Sequence, residues 1–338
     1  MKYLSQAFKN TSATPKTPNT SSETLAPGSK AFVRADLDIP LSDNGEILED
    51  YRLEVLLPTL KLLIENEIHP VIAGHMGRPK KTTPKLSTKN LEPFFNQHLG
   101  SKNYTLLENL RFDSREKGKD LAFAKELAKK ADFYVNESFG NSHRADTSMA
   151  LVPKILPGFA GLRLEKEITE MEKLLKIDTS ARPLFALVGG VKNSKKEAIY
   201  ALAKHFDYVL VGGALKKDSS DPANSKVLYP QDYSHNGLDI GPLTIKHYSE
   251  VIKKAATIIW AGPMGAYDQG YAEGSQKIAE AVLASPARSV VGGGDTVSCL
   301  DKLGLLDSFD FVSTGGGAML DFLSGKKLPA LAALGYYD

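Results

Sequence analysis

The stretch that decides the fold runs over residues 31–77 and contains AFVRADLDIP (31–40), RLEVLLPTLKLLIENE (52–67) and HPVIAGHMG (69–77). The outer two segments are apolar enough to form buried strands, and each ends in a polar loop. The middle segment carries apolar residues at helical spacing. A strand, a helix and a second strand in this order predict a parallel βαβ unit.

The same alternation of strands and helices continues along the chain and predicts parallel sheets covered on both faces. In the first half it includes YTLLENLRF (104–112), a helix around 121–130 and FYVNESFG (133–140). The second half has five apolar segments that run into glycine or a polar loop: PLFALVGG (183–190), DYVLVGG (207–213), ATIIWAGPMG (256–265), RSVVGGGDT (288–296) and FDFVSTGGGA (309–318).

The length of 338 residues exceeds what one hydrophobic core usually serves, so we expect two domains. Between the two α/β halves lies LRLEKEITEMEKLLKI (162–177), a long amphipathic pattern that predicts an interdomain helix. The predicted division has five parts: an N-terminal tail or loop (1–30), a first domain (31–160), the connecting helix (161–178), a second domain (179–325) and a C-terminal segment (326–338) for which packing on the first domain is one option.

The composition excludes several classes of protein. There are 42 basic and 40 acidic residues, and this balance argues against a nucleic-acid binder. The single cysteine, Cys299, rules out internal disulfides and a cysteine-based metal cage. No apolar run is long enough to span a bilayer, and residues 1–16 lack the apolar core of a secretory signal. We therefore expect a cytoplasmic protein without nucleic-acid or membrane partners.

Arginines and histidines mark the predicted carboxyl edge of the first sheet. Ligands bind beyond this edge in parallel α/β sheets, and guanidinium groups suit phosphate or carboxylate. The sequences GHMGRP (74–79) and SHRAD (142–146) each place a histidine close to an arginine. The first half therefore predicts an anion site. The residues at this edge are Asp36, Asp38, His75, Arg78, Arg111, His143 and Arg144, and a further arginine, Arg52, begins the 52–67 segment.

Glycine-rich turns mark the corresponding edge of the second half, at VGG (188–190), VGG (211–213), VGGGDT (291–296) and STGGGA (313–318). Such turns, when they open helices, suit the phosphates of a nucleotide. In GGVKNSKK (189–196), two lysines four residues apart share a helix face near its start, which indicates a nearby anion or a solvated pair. Neither a Walker A loop nor a GxGxxG motif occurs. An anion-binding half and a phosphate-binding half together predict phosphoryl transfer.

Eight motifs in order give the chain a strong resemblance to the phosphoglycerate kinase family. They are VRADLDIP, GHMGRP, LLENLRF, YVNESFGNSHRADTSM, LVGGVKNSKK, IIWAGPMGAYD, VVGGGDT and FVSTGGGAMLDFLSGKKLP, and they run from about residue 31 to 334. The resemblance implies two Rossmann-like α/β/α domains with parallel sheets, joined by a helix. It also implies glycolytic phosphoryl transfer between 1,3-bisphosphoglycerate and ADP, giving 3-phosphoglycerate and ATP, by a monomer that uses Mg²⁺ with the nucleotide.

The resemblance implies specific residues for both ligands. The substrate-binding positions are Asp36, Asp38, Arg52, His75, Arg78, Arg111 and Arg144, and Arg52 belongs to the reacting carboxyl end. The nucleotide-binding positions are Lys192, Lys196, Gly212, Gly213, Pro263, Asp268, Gly292, Gly293, Gly294, Asp295 and Thr296, of which Asp295 is associated with the metal. The positions that face the transferred group are Arg52, Lys192, Gly315, Gly316 and Gly317.

The implied chemistry requires no general base, because the nucleophile is a carboxylate that is already ionised at neutral pH. Catalysis can then consist of positioning and charge stabilisation. We expect Arg52, Lys192 and the 315–317 amides to stabilise the oxygens of the moving phosphoryl group. Arg52 and Lys192 lie in different halves, so this hypothesis requires domain closure. Arg34, inside its strand, is assigned a structural role.

The chain departs from the family pattern at several positions. Asp38 replaces the family's asparagine in D-x-N-x-P, Ala261 replaces the asparagine of Trp-Asn-Gly-Pro, and Asp268 replaces a glutamate. The stretches 78–106 and 213–241 are shorter than in typical members. The alternatives to a compact kinase are a non-catalytic descendant that binds a phosphorylated metabolite or nucleotide, and a kinase for another small carboxylate.

Overall fold

The computed structural model describes residues 1–9, 25–176, 182–190, 194–217 and 222–338. These residues form two compact units. The first comprises Met1–Thr169 together with Lys327–Asp338, and the second comprises Glu170–Lys326. Each unit is built around one parallel sheet, as the alternation of strands and helices predicts.

The sheet of the first unit has six parallel strands in the order β1-β6-β5-β2-β3-β4. Their bounds are β1 Lys2–Tyr3, β2 Lys30–Ala35, β3 His69–Ala73, β4 Thr105–Leu106, β5 Phe133–Glu137 and β6 Gly158–Ala160. In the central strand β2 every residue after Lys30 is buried, so both faces of the sheet are covered. Val33 of β2 pairs with Ile72 of β3 on one side and with Val135 of β5 on the other. Because the three strands are parallel, their carboxyl ends lie at one edge of the sheet.

Helices of the first unit cover this sheet. They are α1 Leu4–Lys9, α2 Tyr51–Glu54, α3 Leu57–Glu65, α4 Glu92–Leu99, α5 Leu121–Ala128, α6 Thr147–Ala150 and the start of α7 Leu162–Leu175. Short 3₁₀ turns lie at Pro84–Leu86, Thr88–Leu91, Leu110–Phe112, Ser114–Gly118, Phe139–Asn141 and Val152–Lys154. The core includes Leu53, Leu60 and Leu63 from the helices and Val33, Ile72 and Val135 from the strands.

Two predicted elements of the first half differ from the structure. The helix expected over 52–67 is divided into α2 and α3, because Pro58 lies in the first turn of α3 and has no N–H to continue the α2 ladder. The strand expected over 104–112 is confined to Thr105–Leu106. It ends early because the side chain of Asn109 accepts the Arg111 N–H and starts a 3₁₀ turn there.

The N-terminal tail expected over residues 1–30 is wrong for its first nine residues. β1 pairs with β6 in the sheet, and α1 follows it directly. Leu4 is fully buried, and Ala7 and Phe8 pack against the core, so a short apolar segment anchors the N-terminus. The Met1 ammonium also donates to the carbonyl of Gly335 at 2.8 Å. Residues 10–24, the centre of the predicted tail, lie outside the described residues.

The sheet of the second unit also has six parallel strands, in the order β14-β13-β12-β7-β8-β9. These are β7 Leu184–Val188, β8 Tyr208–Val211, β9 Val227–Leu228, β12 Thr257–Ala261, β13 Arg288–Gly292 and β14 Phe311–Ser313. A small antiparallel pair, β10 Tyr233–Ser234 and β11 Asp239–Ile240, lies apart from it. β7 and β12 are buried along their whole length, as expected of central strands in a sheet covered on both faces.

Helices of the second unit alternate with these strands. They are α8 Ser194–Leu202, α9 Pro242–Ile252, α10 Glu273–Leu283, α11 Gly294–Lys302 and α12 Gly316–Leu323, with 3₁₀ turns at His235–Gly237, Tyr267–Gln269 and Leu306–Ser308. α11 and α12 begin immediately after β13 and β14, so both helices start at the carboxyl edge of the sheet. In the part of the chain that the structure describes, no helix has the length and apolar character needed to cross a bilayer.

The C-terminal segment returns to the first unit. It contains α13 Pro329–Ala333, whose Leu331 is fully buried, and the Ala330 N–H donates to the carbonyl of Ser142 at 3.2 Å. The boundary between the units lies within α7, between Thr169 and Glu170.

A buried carboxylate holds the start of α7. The side chain of Glu137, at the end of β5, accepts the backbone N–H groups of Arg163 at 3.2 Å and Leu164 at 3.0 Å. The Thr59 hydroxyl also donates to it. A Cβ at Gly161 would collide with this carboxylate, so glycine is required before the helix. The arrangement satisfies the N–H groups that a helix start leaves without intrahelical partners.

Glu137 makes the stability of the first unit depend on pH. Burial raises its pKa to about 7 from an ordinary 4.5, so the folded protein keeps a proton that the unfolded chain releases. The stabilisation from this proton is complete below pH 4.5 and is lost as the pH rises through about 7. Glu137→Gln has no carboxyl group to titrate at this position and should not lose this stabilisation. The difference in unfolding free energy between the variant and the wild type should therefore shift by up to about 3 kcal/mol in favour of the variant from pH 5 to pH 8. Thermal unfolding at both pH values measures this.

The control is Glu46→Gln, which removes the same charge from an exposed side chain. The difference in unfolding free energy between Glu46→Gln and the wild type should be the same at the two pH values. Equal pH dependence in wild type and Glu137→Gln would show that the buried carboxyl is already ionised at pH 5.

Candidate functional site

Four arginines surround one buried histidine in the first unit. His75 follows β3 and is 1% exposed. Burial lowers its pKa well below the usual value, and the charges of the four arginines lower it further. These are Arg34 on β2, Arg111 in a 3₁₀ turn, Arg144 after the 139–141 turn, and Arg52 on α2. The structure therefore gathers at the carboxyl edge of the sheet a set of cations that are far apart in the sequence.

Several buried donors in this group have no hydrogen-bond partner among the described residues. They include His75 Nε2, Arg111 Nε and Nη2, and Arg144 Nε. Arg111 is held by a bond from Nη1 to the carbonyl of Gly77 at 2.7 Å, and its Nη2 lies 3.6 Å from the Asp146 carboxylate. Burial also lowers the pKa of Arg111. Buried donors without partners are costly, and an anion placed among them would satisfy these groups.

Two aspartates lie on the α2 side of the same group. Arg52 Nε is 3.8 Å from Asp36 Oδ2, and another nitrogen of Arg52 donates to the carbonyl of Asp38. Asp38 Oδ1 accepts the Gly77 N–H at 2.7 Å, and its Oδ2 lies 3.7 Å from His75 Nε2. Asp38 thus links the β2 and β3 loops while its second oxygen is left close to the unpartnered donor of His75.

The structure does not place Arg78 in this buried group. Its side chain is exposed, and its charge is not among those that lower the pKa of His75. Arg34, by contrast, is fully buried and donates from Nη2 to His75 Nδ1 at 3.1 Å. The residue assigned a structural role from the sequence therefore contacts a predicted site residue directly.

The glycines of the second unit allow two backbone segments to approach closely. Gly293 precedes α11 with a φ of +97°, a conformation that glycine adopts without strain. A Cβ there would lie 3.0 Å from the Cα of Gly316, and a Cβ at Gly316 would lie 2.9 Å from the carbonyl oxygen of Gly292. The starts of α11 and α12 can be this close only because side chains are absent.

Both helix starts lack a side-chain cap within the described ranges. The N-cap residues are Gly293 for α11 and Gly315 for α12, and neither has a side chain to accept the first N–H groups. Adjacent helix starts with free N–H groups suit phosphate oxygens. Asp295 is exposed in the first turn of α11, and Gly317 is exposed in the first turn of α12.

Thr296 connects the start of α11 to the turn after β12, and Ala261 is buried beside this turn. The Thr296 hydroxyl is buried and accepts the Gly262 N–H at 2.7 Å. Trp260 Nε1 donates to the carbonyl of Gly262 at 2.7 Å, which fixes the turn after β12. Ala261 is 1% exposed, so the methyl group that replaces the family's amide is enclosed by the protein.

Most of the remaining residues predicted to bind the nucleotide lie at strand ends or helix starts of the second unit. Lys192 lies outside the described residues. Lys196 is in the first turn of α8 and is partly buried, and Asp268 is exposed in the 3₁₀ turn after β12. Pro263, Gly212 and Gly213 follow the ends of β12 and β8, and Gly294 is the first residue of α11.

Sequence reasoning missed two residues that support the arginine group, Glu116 and Ser148. Ser148 accepts from Arg34 Nε at 2.8 Å, and Ser148 donates to Glu116 at 2.6 Å. Glu116 belongs to the charged segment SREKGKD (114–120), whose composition is typical of a solvated loop. Its complete burial gave no signal in the sequence.

Comparison with known proteins identifies the family. A family model described as "Phosphoglycerate kinase" matches residues 23–102, 95–220 and 216–326. The chain belongs to the phosphoglycerate kinase family. Phosphoglycerate kinases are glycolytic phosphotransferases, EC 2.7.2.3, and the predicted family, two-sheet α/β fold and enzyme class are confirmed.

Relatives from distant organisms give the same result. "Phosphoglycerate kinase" from Leptospira biflexa serovar Patoc and that from Aquifex aeolicus are each 34% identical over 381 residues, with 91% of this chain and 96% of the relative covered. "Phosphoglycerate kinase 3, cytosolic" from Arabidopsis thaliana is 34% identical, with 95% of this chain and 99% of the relative covered. Alignments of 381 positions against a chain of 338 residues mean that this member lacks internal segments present in those relatives.

Solved phosphoglycerate kinases share the fold. The enzyme from Pyrococcus horikoshii OT3 matches with a TM-score of 0.78 and 26% identity, covering 91% of this chain and 96% of that chain. The enzyme from Coxiella burnetii matches with a TM-score of 0.74 and 28% identity, covering 94% and 98%.

The close approach of α11 and α12 can be tested with one methyl group. Gly293→Ala should weaken ADP binding roughly tenfold or more, because the new Cβ pushes the two helix starts apart. Gly304→Ala is the matched control, since Gly304 also has a positive φ but a Cβ there meets no atom within 4 Å. Gly304→Ala should cost roughly 1–2 kcal/mol of stability. Gly293→Ala should cost more, because its Cβ also meets Gly316. Calorimetric titration with ADP should separate them, and equal binding by both variants would contradict a phosphate site at Gly293.

Proposed function

We propose that this shortened phosphoglycerate kinase catalyses the full reversible reaction between 1,3-bisphosphoglycerate with ADP and 3-phosphoglycerate with ATP. The observation that carries the proposal is the group of buried, unpartnered donors on His75, Arg111 and Arg144. Like charges held together out of water are stable when an anion neutralises them. In this family the anion is expected to be the phosphate of phosphoglycerate that does not react.

The reacting end of the substrate is assigned to the Arg52 side of the group. Arg52 is held by Asp36 and by the Asp38 carbonyl, so its guanidinium has a defined position. Its exposed fraction of 16% leaves part of the fork accessible to a ligand. A fixed cation at this place can stabilise charge that develops on the transferred phosphoryl group. Arg78, which is exposed, is assigned to the outer side of the substrate phosphate.

The nucleotide is assigned to the glycine edge of the second unit. The uncapped starts of α11 and α12 would receive phosphate oxygens, and the 315–317 amides would face the transferred group. Lys192 and Lys196 would supply further positive charge. Pro263, Asp268 and the 212–213 turn would lie along the nucleotide, with Thr296 fixing the turn beside them.

Asp295 fits a Mg²⁺ ion bound with the nucleotide. Its carboxylate is an exposed, hard oxygen ligand in the first turn of α11, beside the proposed phosphate site. Mg²⁺ in nucleotide sites is usually held by one or two carboxylates together with phosphates and water. In the described part of the chain no cluster of three metal-ligating side chains occurs, so the ion would depend on the nucleotide phosphates and water for most of its ligands. The ion would neutralise phosphate charge when bound.

The reaction needs positioning rather than proton transfer. The attacking group is a carboxylate oxygen, which is ionised at neutral pH, and the bond that breaks links the transferred phosphorus to the ADP oxygen. The chain's part is to hold the two ends in line and to stabilise the oxygens of the moving group. The domain closure expected from the sequence stays a prediction.

A coupled assay with 3-phosphoglycerate and MgATP tests the proposal. We expect turnover in the range typical of kinases, about 1–100 per second or faster. Measurable 3-phosphoglycerate binding with background turnover would instead identify a non-catalytic descendant. Turnover with another small carboxylate but not with 3-phosphoglycerate would identify a different kinase.

We also propose a monomer located in the cytoplasm. The support for the location is the Arabidopsis relative, whose name describes it as cytosolic. Light scattering after size-exclusion chromatography should give the mass of one 36.7 kDa chain. The mass of a dimer would contradict the proposal of a monomer.

Two arginine substitutions separate the reacting and non-reacting ends. Arg52→Ala should lower kcat roughly 100-fold or more with little change in KM, because Arg52 is assigned to charge that develops in the transition state. Arg78→Ala is the matched control and should mainly raise KM. Steady-state kinetics with 3-phosphoglycerate measures both. If Arg52→Ala changed KM alone, Arg52 would not stabilise the transition state.

Asp38 is expected to weaken substrate binding, because it adds a carboxylate beside an anion. Asp38→Asn keeps the oxygen that accepts the Gly77 N–H, and it should tighten 3-phosphoglycerate binding by about 1 kcal/mol, roughly fivefold in Kd. Asp43→Asn is the control, since its side chain is 99% exposed and pairs with Lys85. Calorimetric titration measures the three proteins. Weaker binding by Asp38→Asn would mean that the carboxylate accepts a hydrogen bond from the substrate.

A further inference from the structure

A buried chain of hydrogen bonds leads from Glu116 to His75. The Ser148 hydroxyl donates to Glu116 Oε1 at 2.6 Å, and the Ser148 N–H donates to Glu116 Oε2 at 3.0 Å. Arg34 Nε donates to the Ser148 oxygen at 2.8 Å, and Arg34 Nη2 lies 3.1 Å from His75 Nδ1. Three of these side chains are fully buried, and His75 is 1% exposed, so water does not compete for the bonds.

The chain fixes the position of the imidazole proton. A guanidinium group has only donors, so at its contact with Arg34 the Nδ1 atom of His75 must accept. A neutral imidazole that accepts at Nδ1 carries its proton on Nε2. Protonation of both nitrogens would place an N–H of His75 against an N–H of Arg34 and break the bond.

Nε2 is the atom of His75 left for a ligand. It is buried and has no hydrogen-bond partner within the described ranges. Asp38 Oδ2 lies 3.7 Å away, which is too far for a hydrogen bond. The donors of Arg111 and Arg144 in the same group are also unpartnered. An anion that satisfies the arginines would therefore also meet an N–H of His75.

We propose that Glu116, Ser148 and Arg34 are positioning residues that lock His75 as the neutral tautomer with its proton on Nε2, so that His75 binds the substrate anion as an uncharged donor. The proposal rests on the proposed function, which places that anion at His75. Arg34 would act on the substrate only through His75. Its role is thus more specific than support of the sheet.

The electrostatic surroundings favour the neutral ring. Positive charges face it from β2, α2, the 110–112 turn and the loop after β5, and the Asp38 carboxylate in the loop after β2 lies 3.7 Å from its Nε2. Burial and these cations lower the pKa of His75 well below its usual value. A bound dianion would act in the opposite direction and favour protonation. The bond from Arg34 opposes this, because it occupies the lone pair of Nδ1.

Nitrogen NMR and sulfate binding test the proposal. Sulfate is the probe because its charge does not change between pH 8 and pH 6, and the His75 signals are assigned with His75→Gln. In the wild type we expect an unprotonated Nδ1 and a protonated Nε2 at both pH values, with and without sulfate. The sulfate affinity should change less than twofold over this range.

Arg34→Met should release the ring. His75 should then titrate when sulfate binds, and sulfate should bind at least fivefold more tightly at pH 6 than at pH 8. Ser148→Ala keeps the guanidinium but removes its support, so it should show a smaller change in the same direction if Arg34→Met does not fold. Arg34→Lys, which restores a donor, should return the wild-type tautomer in part. The control Arg182→Met removes an exposed arginine of the second unit and should leave the His75 signals unchanged.

Two results would overturn the proposal. One is a wild-type His75 with its proton on Nδ1, or with both nitrogens protonated when sulfate is bound. The other is an unchanged tautomer and pH profile in both Arg34→Met and Ser148→Ala. Either result with normal turnover in the coupled assay leaves the proposed function intact. Failure of sulfate and 3-phosphoglycerate to shift the His75 signals would remove the anion site, and with it both proposals.

Discussion

Like charges repel, and the first unit holds Arg34, Arg52, Arg111 and Arg144 around His75 at one sheet edge. In a medium that screens charge poorly, such a group costs free energy unless each cation is fixed and the set is neutralised. The surrounding structure meets the first condition for three of the four arginines. Ser148 with Glu116 holds Arg34, the Gly77 carbonyl holds Arg111, and Asp36 faces Arg52. We propose that a bound anion meets the second condition, which would make this edge the substrate site.

In the second unit the groups proposed to bind an anion belong to the backbone and not to side chains. Its sheet edge offers the N–H groups of two adjacent helix starts, and the closest approach is between Gly293 and Gly316. A phosphate bound there would meet dipoles rather than many full charges. Under the proposed function the two units would bind anions by different physical means, guanidinium groups in one and helix starts in the other.

Much of the fold follows from local sequence. Apolar strands that end in polar or glycine-rich loops predict parallel sheets, and both sheets are present with their central strands where the pattern places them. The division of the 52–67 helix also has a local cause, Pro58. By contrast, the burial of Leu4 depends on pairing between β1 and β6, whose residues are more than 150 positions apart. The sequence of residues 1–9 alone therefore cannot predict that pairing.

The sequence by itself determined the strand–helix alternation, the edge at which polar residues collect, and the family, because short motifs at strand ends are local and keep their order. Only the tertiary structure decided which arginines face His75. It brought Arg34 and Glu116 into one buried hydrogen-bonded chain and left Arg78 exposed. The physical reason is that burial and hydrogen-bond geometry depend on which segments meet across the fold. Arg34 and Ser148 are 114 residues apart, and no local pattern records their contact.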